Sequence, residues 1–241
     1  MLGAIIQART GSRRLPGKVI KKIEGKTVLE HVIERVKRVK YLDRIILATT
    51  NNKEDDILER MGEKLNILIF RGSENDVLDR YYQAAKLFGI RSIIRITADC
   101  PLIDPRVVGE IIDFYSNNKY DYVSNVHPPT FPHGLDAEIL NFKTLKKIWN
   151  KASIPSEREH VTSYITNHPE TFKIGNVIAK KNFNHLRLVL DEGKDLTLIR
   201  KIYSELYKEN RFFELKDILK LFENKPELIE INREFIETRG A

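Results

Sequence analysis

Between residues 4 and 97, short apolar runs alternate with longer segments whose apolar residues recur at helical spacing, and few folds accommodate that alternation. The runs cover residues 4–8, 44–50, 66–70 and 92–97. Between them, Val28, Leu29, Val32, Ile33, Val36 and Val39 mark a helix, with Thr27 as N-cap and Glu30 completing a capping box. Ile57, Leu58 and Met61 mark a second helix, residues 75–87 a third and residues 105–115 a fourth. Strands alternating with helices of this length predict an α/β fold with a doubly wound, mostly parallel sheet. Ligands of such sheets lie beyond the carboxyl ends of the strands. Loop 9–18, Arg71-Gly72 and Asp99 all follow strand ends, so topology brings them to one crevice.

The loop carries the densest chemistry. Gly11 and Gly17 let a ligand approach the backbone, Pro16 stiffens the turn, and Arg9, Arg13, Arg14 and Lys18 add four positive charges. Backbone amides, Arg forks and a Lys suit a polyphosphate; the competing reading is a solvated basic loop. It is not a Walker loop, because five residues separate Gly11 from Gly17 and Val19 stands where a Mg-binding hydroxyl belongs. Nor does Gly11 have the glycine partners of a dinucleotide fingerprint.

With 241 residues, 41% of them hydrophobic, the chain is long enough for one large α/β domain, assigned to 1–241. A net charge of +7 suits nucleic acid, an anionic membrane or a small phosphorylated substrate. Charges of both signs mix along the helices and no aromatic-basic stripe stands out, so no nucleic-acid partner is expected. No run is long and apolar enough to span a membrane, no signal-peptide pattern opens the chain, and the one cysteine, Cys100, forbids an internal disulfide. A cytoplasmic protein without a membrane partner is the expectation.

The pattern changes after a strand at 120–125. Residues 127–134 read as a Pro- and His-rich loop at the crevice rim, followed by a strand-like stretch to 140 and a helix carrying Leu145, Ile148 and Trp149. A single helix is predicted over 156–167, strands over 172–179 and 186–190, and helices from Asp195 onward. Residues 127–180 are expected to supply an acceptor-site lid or dimerisation arm.

Asp99 and Asp191 each end an apolar strand. Carboxylates so placed hold Mg²⁺, which takes one or two of them and leaves its other sites to phosphate oxygens; the alternative is that each caps the following helix. Asp104 and Asp195 read as N-caps. Asp76 and Asp79 share a helix face and are candidates for ion pairs with Arg80 or Lys86. Asp136 and Glu138 alternate onto one side of an extended segment suited to binding hydroxyls, and Gly134 permits close approach. His160 reads either as a general base or as a structural histidine.

Residues 6–18 closely resemble the signature loop of the sugar cytidylyltransferases, the group of the acylneuraminate and 3-deoxy-manno-octulosonate enzymes. The resemblance returns at 97–105, 133–138, 158–162 and 187–191 in the family's order. Gln7-Ala8-Arg9 in place of Pro-Ala-Arg, with His133-Gly-Leu-Asp136, aligns the chain most closely with the spore coat polysaccharide biosynthesis protein F branch. The resemblance implies a Rossmann-like nucleotide-diphospho-sugar transferase fold, a homodimer, and Mg²⁺-dependent transfer of CMP from CTP to a small sugar acceptor for a surface polysaccharide. It implies catalytic roles for Arg9, Lys18, Asp99 and Asp191, the two aspartates binding metal. Nucleotide contacts are implied for Ala8, Arg9, Thr10, Gly11, Arg14 and Lys18, and cytosine contacts for Arg71, Ser73 and Arg80. His133, Asp136, Glu138, Arg158 and His160 would border the acceptor, with Arg158 free to hold a sugar carboxylate or phosphate.

Two enzymatic rivals share this fold: a transferase of another nucleotide, and a glycosyltransferase. The latter is disfavoured because Asp99-Cys-Pro lacks the second Asp of an Asp-x-Asp metal site. An idle binding domain is disfavoured by the joint presence of Arg9, Lys18, Asp99 and Asp191.

Overall fold

The computed structural model describes residues 1–208 and 211–236. Strand β1 (Leu2–Gln7) enters the cationic loop. A short hairpin, β2 (Lys22–Ile23) and β3 (Lys26–Thr27), follows it, unanticipated because each arm is only two residues long. Helix α1 (Val28–Val36) starts at the predicted Thr27/Glu30 capping box. Then come β4 (Arg44–Thr50), α2 (Asp56–Lys64), β5 (Leu68–Gly72), α3 (Val77–Leu87), β6 (Ser92–Thr97) and α4 (Pro105–Ser116). Asp104 caps α4, accepting the Arg106 N–H at 2.8 Å.

The later half holds β7 (Tyr122–Ser124), β8 (Glu138–Asn141), α5 (Phe142–Lys151), α6 (Pro155–Glu159), α7 (Ser163–Asn167), β9 (Ile174–Asn176), α8 (Gly193–Leu206) and α9 (Leu215–Asn224). The helix expected over 156–167 is two, because Val161, at φ 56°, breaks it between α6 and α7. Residues 186–190 are extended but make a single bridge, His133 to Arg187, rather than a strand. Asp195 is not an N-cap. Glu192 holds that position and Asp195 stands at N3, its carboxylate accepting the Glu192 N–H.

One seven-stranded sheet runs β5-β4-β1-β6-β8-β7-β9, parallel except at β8, which is antiparallel to both its neighbours. β8 and β9 thus bring part of the 127–180 stretch into the main sheet. The period-two alternation of the strands divides the core. Ala4, Ile6, Leu47, Ile94 and Ile96 face α1, α4, α8 and α9, while Ile5, Ile46, Ala48 and Ile93 face α3 and α5. β1 sits between parallel β4 and β6, where the winding reverses, and that switch point opens a crevice at the strand C-termini.

Candidate active site

The crevice has a volume of about 1810 Å³ and reaches from the cationic loop to the 127–134 loop and α6. Its centre is an ion cluster built from three distant segments. After Gly17, at φ 65°, the chain turns so that Lys18 points inward. Its Nζ donates to Asp99 Oδ2 at 2.5 Å and to Asp191 Oδ1 at 2.7 Å. The Leu190 N–H donates to the Asp99 carbonyl at 2.8 Å, so a main-chain bond joins the two acidic segments. Neither aspartate caps a helix.

Burial alone pushes the Lys18 ammonium down, but Asp99 and Asp191 outweigh it and its pKa lies above the ordinary lysine value. Burial pushes the Asp99 carboxyl up, and Lys18 more than reverses this, leaving it below the usual carboxylate value. Arg14 adds a contact to Asp191 at 2.8 Å. Arg187, almost fully buried, pairs through Nε and Nη2 with Asp195 at 2.9 Å each and lies 3.6 Å from Asp191. Two carboxylates converging on one cation position fit Mg²⁺ completed by phosphate oxygens. Among the described residues no three His, Cys, Asp or Glu side chains gather at a metal position, so non-protein oxygens would have to supply the rest.

Ala8, Arg9, Gly11, Arg13 and Arg14 also line the crevice. Arg9 donates to Glu74 at 3.2 Å and lies 3.9 Å from Glu159 on α6. Thr10 is placed differently from expectation: its N–H and its hydroxyl both donate to buried Asp55, at 2.8 and 2.7 Å.

Arg80 lines the wall beside the loop and is 2% exposed, yet its Nε and Nη1 have no hydrogen-bond partner. Burial pushes this guanidinium down. Two crevice neighbours on the α3 face of the sheet also keep an unpartnered buried atom, Gln7 Oε1 and Arg95 Nε. Buried polar atoms are normally satisfied, so orphans gathered in one cleft mark where a polar ligand docks. Arg71 turns the other way, donating to Glu59 at 2.6 Å and pairing with Asp56 at 2.7 Å on α2, and the cytosine role implied for it has no geometric basis. Ser73 likewise lies outside the crevice lining. Neither Asp76 nor Asp79 pairs with Arg80. Asp76 caps α3 and Asp79 accepts the Trp149 indole N–H at 2.8 Å.

On the acceptor side His133, Asp136, Glu138 and His160 line the crevice. His133 Nε2 lies 3.8 Å from Asp136. Glu138 is no hydroxyl ligand as disposed here, because one oxygen pairs with Arg95 and the other accepts from the Tyr122 hydroxyl at 2.9 Å. Arg158 is also committed elsewhere: its Nε and Nη2 clasp Asp76, the shortest contact being 2.5 Å, and Nη1 donates to the Trp149 carbonyl. Gly134, at φ 105°, answers to the backbone, since a Cβ there would meet Leu188 C and Val189 N at 2.5 Å. Sequence reasoning missed Asp55 and Arg95. Arg95 carried a signal, a lone cation inside an apolar strand; Asp55 carried none.

A mostly parallel sheet with a cationic loop and paired carboxylates at its switch point suits a nucleotide, and the family match makes the chain a nucleotidyltransferase. The chain belongs to the cytidylyltransferase family, whose model matches residues 3–229. It is 33% identical over 210 residues to the spore coat polysaccharide biosynthesis protein SpsF of Bacillus subtilis, covering 83% of this chain and 85% of that one. To a 3-deoxy-manno-octulosonate cytidylyltransferase of Hydrogenovibrio crunogenus it is 27% identical over 167 residues, covering 64% and 66%. A solved cytidylyltransferase from Leptospira borgpetersenii superposes with a TM-score of 0.91 at 32% identity, covering 95% of this chain and 96% of the other.

Proposed function

We propose that this cytidylyltransferase moves CMP from CTP to a hydroxyl of a small sugar, with Mg²⁺ and with release of pyrophosphate, in the making of a surface polysaccharide. The observation that carries the reading is the Lys18–Asp99–Asp191 cluster beside a loop with three crevice-lining arginines. Arg9, Arg13 and Arg14 would face the triphosphate, their forks matching its oxygens. Orphaned Arg80 supplies buried N–H donors suited to the acceptor-rich edge of cytosine. Asp99 and Asp191 would hold Mg²⁺, which when bound would offset charge on the phosphates. Lys18 and the arginines favour the charge that develops as the sugar oxygen bonds to the α-phosphorus and the bond to pyrophosphate breaks. The sugar would enter from the side of His133 and Asp136. A homodimer and a cytoplasmic location complete the reading; among the described residues no helix is long and apolar enough to cross a membrane.

The test is pyrophosphate release with CTP, UTP, GTP, ATP and dTTP, each with Mg²⁺ and a panel of acidic, neutral and phosphorylated sugars. CTP-selective release that needs both sugar and Mg²⁺, and is lost in Asp99→Asn, is the expected result. Selectivity for another nucleotide overturns the cytidylyl assignment while leaving the site. No release, joined to no Mg-dependent binding of CTP by calorimetry, overturns the reading.

A further inference from the structure

Asp55 closes the short 3₁₀ turn Lys53–Asp55 that runs directly into α2, and its side chain accepts no N–H of either helix. Its carboxylate, on a residue only 2% exposed, reaches across to the cationic loop. Oδ1 accepts the Thr10 N–H at 2.8 Å and the Thr10 hydroxyl at 2.7 Å, and Oδ2 accepts the Thr50 hydroxyl at 2.5 Å. The Thr50 oxygen in turn accepts the Asn52 N–H at 3.1 Å, which fixes the hydroxyl's direction. Three donors on one buried carboxylate make a rigid, charge-assisted anchor.

Thr10 is where such an anchor acts most widely. Its carbonyl accepts the N–H of Ser12 at 2.8 Å and of Gly17 at 3.1 Å, so both ends of the loop close on this residue. Arg9 precedes it directly, and Lys18 follows Gly17. The same β4–α2 turn sends a second tether, because Asn52 Nδ2 donates to Glu74 at 2.7 Å and Glu74 holds Arg9.

We infer that Asp55 is a positioning residue for the phosphate-binding loop: through Thr10 it presets the placement of Arg9, Arg14 and Lys18 for a nucleoside triphosphate without touching the nucleotide. The inference rests on the nucleotide reading above and predicts a loss confined to the phosphates. Charge-assisted bonds held ahead of binding spare the ligand the cost of ordering the loop.

The experiment compares CTP with Mg²⁺, titrated by calorimetry, with cytidine, titrated by NMR, on wild type, Asp55→Ala, Thr10→Val and Thr10→Ser. Asp55→Ala is expected to weaken CTP binding tenfold or more while cytidine stays within about twofold. Thr10→Val, which removes one of the three donors and leaves the carboxylate in place, shows the same selectivity to a smaller extent and carries the test if Asp55→Ala does not fold. Thr10→Ser, which keeps both donors to Asp55, restores most of the CTP affinity lost in Thr10→Val. Unchanged CTP affinity in Asp55→Ala and Thr10→Val overturns the inference. So does a parallel loss of CTP and cytidine, the mark of a residue that merely supports the core. Wild type that fails to bind CTP overturns the nucleotide reading itself, a result distinguishable from either.

Discussion

At the scale of single residues, Lys18 governs the crevice, since two carboxylates that would repel each other share its ammonium. Its raised pKa and the lowered pKa of Asp99 set opposite limits on the cluster. The stabilisation from Asp99 is fully present above the ordinary carboxylate pKa and is lost as pH falls through its lowered value. That from Lys18 is fully present below the ordinary lysine pKa and is lost as pH rises through its raised value. Lys18→Met is expected to cut pyrophosphate release about 100-fold or more, because a donor aimed at developing charge is lost. It takes from Asp99 its cation and leaves Asp191 only Arg14 and Arg187, so its melting temperature falls, and on the proposed metal reading Mg²⁺ restores it by more than it raises wild type. A thermal scan with and without Mg²⁺ measures both.

At the scale of elements, the walls depend on where backbone meets backbone. Gly134 passes so close to Leu188 and Val189 that a methyl group has no room, and its φ of 105° is strained for any other residue. Gly134→Ala is expected to cost roughly 2–4 kcal/mol, read as a lower urea midpoint at unchanged slope. The same elements show what a sequence discloses. β1 and β4 were legible because each buries both faces along an apolar centre, and β6 because only Arg95 interrupts one. The break between α6 and α7 was not, because the positive φ falls on Val161, a residue that gives no turn signal. Residues 186–190 have the composition of a strand, but a strand needs a partner edge, and only Arg187 finds a bridge. Strand ends brought the loop, Arg71-Gly72 and Asp99 together in the reading of the sequence; of these Arg71 does not line the crevice, and Asp191, read as closing a strand, reaches it from a segment that makes a single bridge. The capture of Arg158 by Asp76 and of Arg71 by α2 was out of reach, because a side chain's partner is chosen by tertiary proximity that residue spacing does not encode.

Across the whole molecule, the C-terminal region supports the crevice from behind. Asn232, in the 3₁₀ segment Pro226–Phe235, donates to the Arg187 carbonyl at 3.1 Å and to Asp195 Oδ1 at 2.8 Å. Burial pushes the Asp195 carboxyl up, but Arg187, Asn232 and the N–H groups of Asp191 and Glu192 bring it below the usual value. Its contribution to stability is therefore present above the ordinary carboxylate pKa and lost as pH falls through the lowered one. Asp195→Asn, which takes from buried Arg187 its nearer countercharge and leaves Asp191 at 3.6 Å, is expected to cost about 3 kcal/mol at pH 7. The gap from wild type narrows as pH falls below about 4, which urea unfolding across pH 3–7 measures. The bond from the Leu190 N–H to the Asp99 carbonyl has a consequence of another kind. The segments that carry the two carboxylates are joined through main chain as well as through Lys18, and not through the side chains of the crevice rim. On the proposed reading, exchanging residues 127–130 for the stretch of a relative is expected to alter the sugar accepted while CTP affinity stays unchanged, which calorimetry measures.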